Sequence, residues 1–184
     1  RRRVLMYNHF LLIGPENDPA GVKSTKTLRE ALIRIAKRGC LFLSRGDNSG
    51  THTLEKRLWK EVRIDPTKER WYQETGQGMG FTLKMAFEKG GYTISDNGTY
   101  LALKRSLKRE ASVLRDPRLL NIYSVIEVNP KVFKKVNSEG AQAFSEFLVS
   151  QDVQNFIGSF GKEKYGSPLF IPCAGKDKEV EQWK

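Results

Sequence analysis

Two short passages carry the residues best suited to chemistry. Residues 44–52 read SRGDNSGTH and residues 74–80 read ETGQGMG. Each follows a brief apolar or aromatic segment and precedes a helical pattern, so each falls where a strand hands over to a helix. The first turn of a helix presents N–H groups without internal acceptors, and the macrodipole adds partial positive charge there. Glycine lets an anion approach that backbone closely, so such a junction is an anion site made of main chain. Ser49 and Thr51 add hydroxyl donors, and Arg45 adds a forked, permanently charged guanidinium. Asp47 would repel an anion and is better suited to fixing the loop or Arg45. Taken singly, either passage is also read as a helix cap and tight turn. Two of them in one α/β unit, with an arginine, point to a small oxyanion. Neither is a nucleotide signature, because GQGMG lacks the GxGxxG spacing and no GK[ST] follows a glycine loop. A hydrolase built from Ser49, His52 and Asp47 is set aside: the three crowd within one turn and no GxSxG elbow is present.

The elements that must hold these passages alternate along the chain. LLI before Gly14-Pro15 predicts a strand ending in the turn-rich PENDPAG. From Ser24 to Arg38 the residues Leu28, Ala31, Leu32, Ile35 and Ala36 share one helical face, with Ser24 as N-cap and Gly39 as stop. CLFL (40–43) reads as a short buried strand with Cys40 a small buried residue, and Thr51 to Lys60 as a helix. WYQE, YTIS and IYSVIEV (122–128) follow as strands. FTLKMAFEKG, with Leu83, Ala86 and Phe87 inward, is a helix; NGTYLAL begins another, and GAQAFSEFLVSQDVQNFIGSF is amphipathic and helical. KRSLKRE (104–110) and DPRLLN read as solvated loops. The alternation predicts an α/β protein with mostly parallel strands. The strands at 11–13 and 122–128 bracket about a hundred residues with their own βα pattern, as expected for a lobe inserted between two passes of a hinge.

Lysine and arginine total 32 against 21 acidic residues, a formal charge of +11, which favours an anionic partner. The positive residues are dispersed, with local thickening at 1–3 and 104–110, more like a solvated surface than a nucleic-acid stripe. Trp59, Trp71 and Tyr72 would serve a nucleic-acid module, but no DNA- or RNA-binding motif accompanies them. No apolar run approaches the roughly 20 residues of a membrane span. Only two histidines, His9 and His52, and two cysteines, Cys40 and Cys173, are present, without the spacing of a zinc site; one disulfide between the cysteines stays open.

The runs MYNHFLLIGPENDPAG, SRGDNSGTH, WYQETGQGMG, YTISDNGTYLA and IYSVIEVNP, in this order over most of the chain, resemble the tungstate-binding proteins of ABC-type tungstate importers. The resemblance implies a type II periplasmic-binding-protein fold: two α/β lobes joined by crossing strands, the ligand clamped between them. It implies that residues 1–14 are part of lobe one and the first hinge strand, 15–120 the inserted lobe two, and 121–184 the second hinge strand and the C-terminal part of lobe one. The family's N-terminal lobe-one segment is missing from this sequence, so lobe one is expected to be incomplete. Arg45 and Thr51 are implied as oxyanion ligands, with Ser44, Ser49, Gly50 and the turn Thr75, Gly76, Gln77, Gly78, Met79 as neighbours. The chain departs from the family pattern at His9, Asn48 and Asp96-Asn97.

The implied function is capture of tungstate or molybdate, without catalysis, cofactor or direct metal ligands. The implied partners are the oxyanion and an ABC permease, with no nucleic acid. The protein would be an extracytoplasmic or periplasmic monomer, touching the membrane only through the permease or an N-terminal anchor. An oxyanion-sensing domain of a transcription regulator is the alternative use of the same fold.

Overall fold

The computed structural model describes residues 2–107 and 111–182; the last three residues of KRSLKRE lie outside them. The chain forms two compact units, an inserted unit of His9–Pro117 and a terminal unit of Arg1–Asn8 with Arg118–Lys184. Two long strands, β1 (Arg2–Pro15) and β5 (Ala111–Ile126), contribute residues to both.

In the inserted unit α1 spans Leu28–Arg38 and buries Leu28, Ala31, Leu32 and Ile35, one face at helical spacing. Its N-cap is Thr27, whose hydroxyl accepts the Glu30 N–H, and Gly39 closes it in the left-handed conformation. Ser24, the cap expected from sequence, instead ends a 3-10 turn (Val22–Ser24) and donates its hydroxyl to Gly21 O. Thr27 sits immediately before the first helical residue and wins because only it is placed to reach the third N–H of the helix. The buried Asp116 carboxylate accepts the Leu28 N–H at 3.4 Å, adding a negative charge at the same terminus.

Three strand–helix pairs follow: β2 (Phe42–Ser44) to α2 (Gly50–Glu61), β3 (Tyr72–Glu74) to α3 (Met79–Lys89), and β4 (Thr93–Asp96) to α4 (Asn97–Lys104). β2 and β3 pair in parallel, Phe42 opposite Tyr72 and Ser44 opposite Glu74, and Phe42 makes a parallel bridge to Tyr92 just before β4. The expectation of mostly parallel pairing is corrected for β1, which runs antiparallel to β4, with Phe10 opposite Asp96 and Ile13 opposite Thr93. An apolar run carries no record of strand direction, and the connections here are long enough to permit either sense. Leu11, Ile13, Met79, Leu83 and Tyr100 form one core cluster. Phe42 meets Trp59 edge-on at 5.3 Å and stacks on Tyr72 at 6.0 Å between centroids, forming an aromatic group between β2, β3 and α2.

LLI and the first five residues of IYSVIEV are pieces of much longer strands, Glu127 and Val128 lying past the end of β5, and DPRLLN, expected as a loop, lies within β5. Charged and turn-forming residues hide these strands because a strand that is only partly covered alternates its demands residue by residue. Cys40 is half-buried rather than buried, and both cysteines are free thiols.

The terminal unit adds α5 (Ser138–Leu148), α6 (Gln151–Ser159), a single turn α7 (Lys162–Tyr165), β6 (Ile171–Pro172) and α8 (Asp177–Gln182). Here β1 pairs antiparallel with β6, Met6 opposite Pro172. Its core is small: Val4, Cys173 and Val180, flanked by Tyr7 and Ile122. The Asp177 carboxylate accepts the Val4 N–H at 3.0 Å, tying α8 to β1. Ile126, Phe133, Phe144, Phe147 and Phe156 are all more than half exposed, so this unit carries several large apolar side chains in solvent.

Leu83, fully buried in the cluster of the inserted unit, and Phe144, 58% exposed, should behave oppositely on truncation. Leu83→Ala is expected to cost about 2–5 kcal/mol in urea unfolding. Phe144→Ala should cost less than about 1 kcal/mol. Equal shifts of the two midpoints would contradict this assignment of the core.

Candidate functional site

The parallel pairing of β2 and β3 brings their C-terminal ends side by side, and with them both glycine-rich junctions. Thr75 N–H donates to Ser44 O at 2.9 Å, and the Thr75 hydroxyl reaches Arg45 O at 3.4 Å. The N-termini of α2 and α3 therefore open on the same edge of the strand pair, where α/β proteins seat their ligands.

At the first junction the chain must turn sharply. Gly46 has φ +62°, and a Cβ there would approach Glu74 Cβ to 2.7 Å, so both conformation and space require glycine. Asn48 also adopts positive φ, 57°, which asparagine tolerates better than most residues. Its N–H donates to His52 Nδ1 at 3.0 Å and its Oδ1 accepts from Lys56 Nζ at 3.2 Å. Asp47 ties the loop together: Oδ2 accepts from Arg45 Nη2, and Oδ1 accepts the Ser49 N–H at 3.1 Å. Desolvation works against its charge, but the Ser49 hydroxyl and N–H and the Arg45 guanidinium outweigh it and hold the carboxyl at about 2.

Arg45 is thus aimed by one arm of its fork. Its side chain is 19% exposed, and its Nε–H is buried without a protein acceptor. A buried guanidinium N–H left over after its carboxylate partner is satisfied is a donor held ready for an incoming acceptor.

Ser49 is the N-cap of α2, its Oγ accepting the His52 N–H at 3.3 Å. That leaves the Gly50 and Thr51 N–H groups as donors at the open end of the helix. A Cβ on Gly50 would meet nothing within 4 Å, so the approach to this terminus is clear. Thr51 is 9% exposed. At the second junction Gly78 precedes α3 with no side-chain cap, Gly76 has φ +63°, and neither has anything within 4 Å of a built Cβ. The Thr75 hydroxyl lies 2.8 Å from that of Thr82 and accepts the Gln77 N–H at 3.3 Å, which fixes the turn.

Not all the expected site side chains face this edge. Ser44 is fully buried and donates its hydroxyl to Glu55 Oε2 at 2.7 Å. The Met79 side chain packs in the core cluster, leaving its backbone as its contribution at the helix terminus. Ser49 is committed to capping and to Asp47. Arg45, Gly50, Thr51 and the backbone N–H groups of Gly76, Gly78 and Met79 remain as candidate donors, the Gln77 N–H being spent on Thr75. Among the described residues no cluster of histidine, cysteine, aspartate and glutamate is suited to a metal ion. Among those residues, too, no helix is long and apolar enough to cross a membrane.

Sequence reading missed Glu55. It is 2% exposed and accepts three hydrogen bonds: from Ser44 Oγ at 2.7 Å, Tyr72 Oη at 2.8 Å and Trp59 Nε1 at 3.2 Å. Burial pushes its carboxyl up to about 7 against the opposing pull of those donors. The signal was available, because positions 51, 55, 58 and 59 share one helical face and the others are all buried. His52, 4% exposed, is held neutral by desolvation and the nearby Lys56 charge, with Nδ1 engaged by Asn48.

The raised carboxyl has a sign. Glu55 binds its proton more tightly in the fold than its ordinary value of 4.5 allows. Its contribution is therefore present in full below 4.5 and is lost as pH rises through about 7. Between pH 4.5 and 8 the parent chain should lose on the order of 3 kcal/mol of stability relative to Glu55→Gln. Parallel urea titrations of the two chains across that range check it; superimposed pH profiles would exclude the effect.

A family model described as a PBP superfamily domain matches residues 1–152. The chain is 48% identical over 177 residues to the tungstate-binding protein TupA of Peptoclostridium acidaminophilum, covering 95% of this chain and 62% of that protein. It is 39% identical over 178 residues to a putative ABC transporter anion-binding protein of Haloferax volcanii, covering 94% and 51% respectively. Among solved structures, the tungstate-binding protein TupA from Desulfovibrio alaskensis G20 superposes with a TM-score of 0.77 at 45% identity, over 95% of this chain and 70% of that one. The chain spans between about half and two thirds of the length of these curated relatives.

Proposed function

The chain belongs to the PBP superfamily, and on that premise we propose that it captures tungstate, or the near-identical molybdate, for an ABC importer. The buried, unpaired Nε–H of Arg45 beside two converging helix N-termini carries the reading. A tetrahedral dianion needs several donors converging from fixed directions. Arg45 supplies charge and a forked N–H, Thr51 a hydroxyl, and the two helix starts supply backbone N–H groups. Asp47 sets the direction of Arg45 in advance, so little ordering remains when the anion arrives.

The chemistry in this proposal is binding without proton transfer or covalent change, and without a cofactor. The names of the relatives support it, since they are described as tungstate- or anion-binding proteins. The two units would be the lobes of the superfamily fold, with the inserted unit as lobe two. The several exposed large apolar side chains of the terminal unit support reading it as part of a larger lobe. A monomeric, extracytoplasmic protein that delivers its anion to a membrane permease completes the proposal.

Calorimetric titration with tungstate, molybdate and sulfate tests the proposal. Tungstate and molybdate should bind, and Arg45→Ala should weaken them roughly 10- to 100-fold, the equivalent of one charged hydrogen-bonding group. Absence of binding by both tetrahedral metal oxyanions, or unchanged affinity in Arg45→Ala, would overturn it.

A further inference from the structure

Residues 45–49 form a short loop whose two ends are fixed by the fold. Arg45 follows Ser44, whose carbonyl is held by the Thr75 N–H, and Ser49 caps α2. Between them Gly46 and Asn48 both turn to positive φ, +62° and +57°. The Asn48 corner is held by two side chains of α2 that lie one turn apart. His52 Nδ1 accepts its N–H at 3.0 Å, and Lys56 Nζ donates to its Oδ1 at 3.2 Å. The two hold it unequally. Lys56 is an exposed cation on a flexible stem, whereas the His52 ring is buried and the His52 N–H donates to Ser49 Oγ at 3.3 Å. Because Nδ1 accepts, the ring proton sits on Nε2. That nitrogen is buried without a hydrogen-bond partner and stands 3.6 Å from Glu74 Oε1, beyond hydrogen-bond reach. A single ring nitrogen therefore holds the loop.

We propose that His52 is a positioning residue for Arg45, acting through the hydrogen bond that its Nδ1 accepts from the Asn48 N–H. This role rests on reading the Arg45 junction as an oxyanion site. The path between the two residues is short. Asp47 directly precedes Asn48, and its carboxylate accepts from both Arg45 Nη2 and the Ser49 N–H. Rotation of the corner at Asn48 would carry that carboxylate away and release the guanidinium it aims. A part-buried N–H that loses its acceptor favours such a rotation, because turning outward is how it regains a partner in water. An imidazolium could not serve here, since both of its nitrogens donate. Desolvation and the Lys56 charge keep the ring neutral. His52 itself touches no ligand; it keeps the buried Nε–H of Arg45 directed where an anion would meet it.

Asparagine and glutamine separate the two ring nitrogens. An asparagine amide places an acceptor near the Nδ1 position, whereas a glutamine amide reaches the Nε2 position instead. In calorimetric titration with tungstate, His52→Gln should bind about tenfold more weakly than the parent, the loss of one hydrogen bond, while His52→Asn stays close to the parent. A side chain needed merely to fill space or to stay polar would not distinguish the two. In an Arg45→Ala background the two variants should bind alike, since the group they act through is gone. A ligand-free arm uses ¹⁵N-labelled chains. The Arg45 Nε–H signal should stand apart from those of exposed arginines in the parent and in His52→Asn, and merge with them in His52→Gln. The parent's His52 should carry its proton on Nε2. Because this arm needs no anion, a parent that binds no tungstate would sink the oxyanion reading and still leave the positioning role to be decided by the Arg45 signal. That role would be overturned by equal affinity of His52→Gln and the parent, or by equal weakening in both variants. A difference between them that persists in Arg45→Ala, an unmoved Arg45 signal, or a proton on Nδ1 would overturn it as well.

Discussion

Glu55 is a carboxylate placed where water does not reach, and the local architecture is arranged around satisfying it. Its two oxygens gather a hydroxyl from the last residue of β2, a phenol from the first residue of β3, and an indole one turn along its own helix. Each donor fixes a different element. One group therefore ties β2, β3, the face of α2 and the seat of Trp59 together, on top of the backbone ladder that spaces the two strands. Truncating such a group would strand several buried donors at once, which is why networks of this kind hold geometry more firmly than they add net stability. Burial and the neighbouring carboxylate also push the Tyr72 phenol far up, so it stays a donor at any pH the protein meets.

That fixed geometry matters one residue further along. Arg45 follows Ser44 directly, and Ser44 is clamped on both sides, its hydroxyl by Glu55 and its carbonyl by the Thr75 N–H. The arginine backbone cannot drift without breaking a buried contact. Its side chain is then aimed by Asp47, whose low pKa keeps it ionised and hence keeps the pairing intact. The arrangement solves a specific problem: a cation is needed near bare backbone donors, but a fully unpaired guanidinium would find other partners. One acidic residue occupies part of the fork and leaves Nε free. The negative charge of Asp47 tempers the local field, so any affinity for an anion in the proposed site would come from converging N–H and O–H groups as much as from net charge.

The sequence shows the helices well, because their burial stripes repeat over three turns, as in Leu28, Ala31, Leu32 and Ile35. It shows the junctions too, since glycine, serine and asparagine are required where φ turns positive or a helix begins. It shows much less of β1 and β5. Arg2 to Asn8 mix two arginines and an asparagine with Val4, Leu5, Met6 and Tyr7, most of them half-covered, and no strict alternation marks them as a strand. Direction of pairing is equally hidden, being decided by distant partners. At the site, donor-rich residue types mark a neighbourhood but not an orientation. Ser44 and Ser49 look like ligands by type, and their hydroxyls are spent inside the protein on Glu55, His52 and Asp47. Only packing distinguishes a hydroxyl that serves a ligand from one that serves the fold.

The charge of the whole chain and the donors of the junctions act on different scales. A formal charge of +11 attracts any anion, but at physiological salt the field of exposed charges fades within about 8 Å. It raises encounter rates for sulfate, phosphate or tungstate alike and so carries no preference among them. Preference must arise where water has been excluded and donors are immobile. On that edge of the β2–β3 pair the immobile donors are Arg45 and the starts of α2 and α3, and an arriving anion would displace the water there. The distance between those two helix starts is set by the β2–β3 ladder behind them, and the ladder is pinned by Glu55. Selectivity among dianions of slightly different size would then depend on a carboxylate that never touches the ligand, because it fixes how far apart the donors stand.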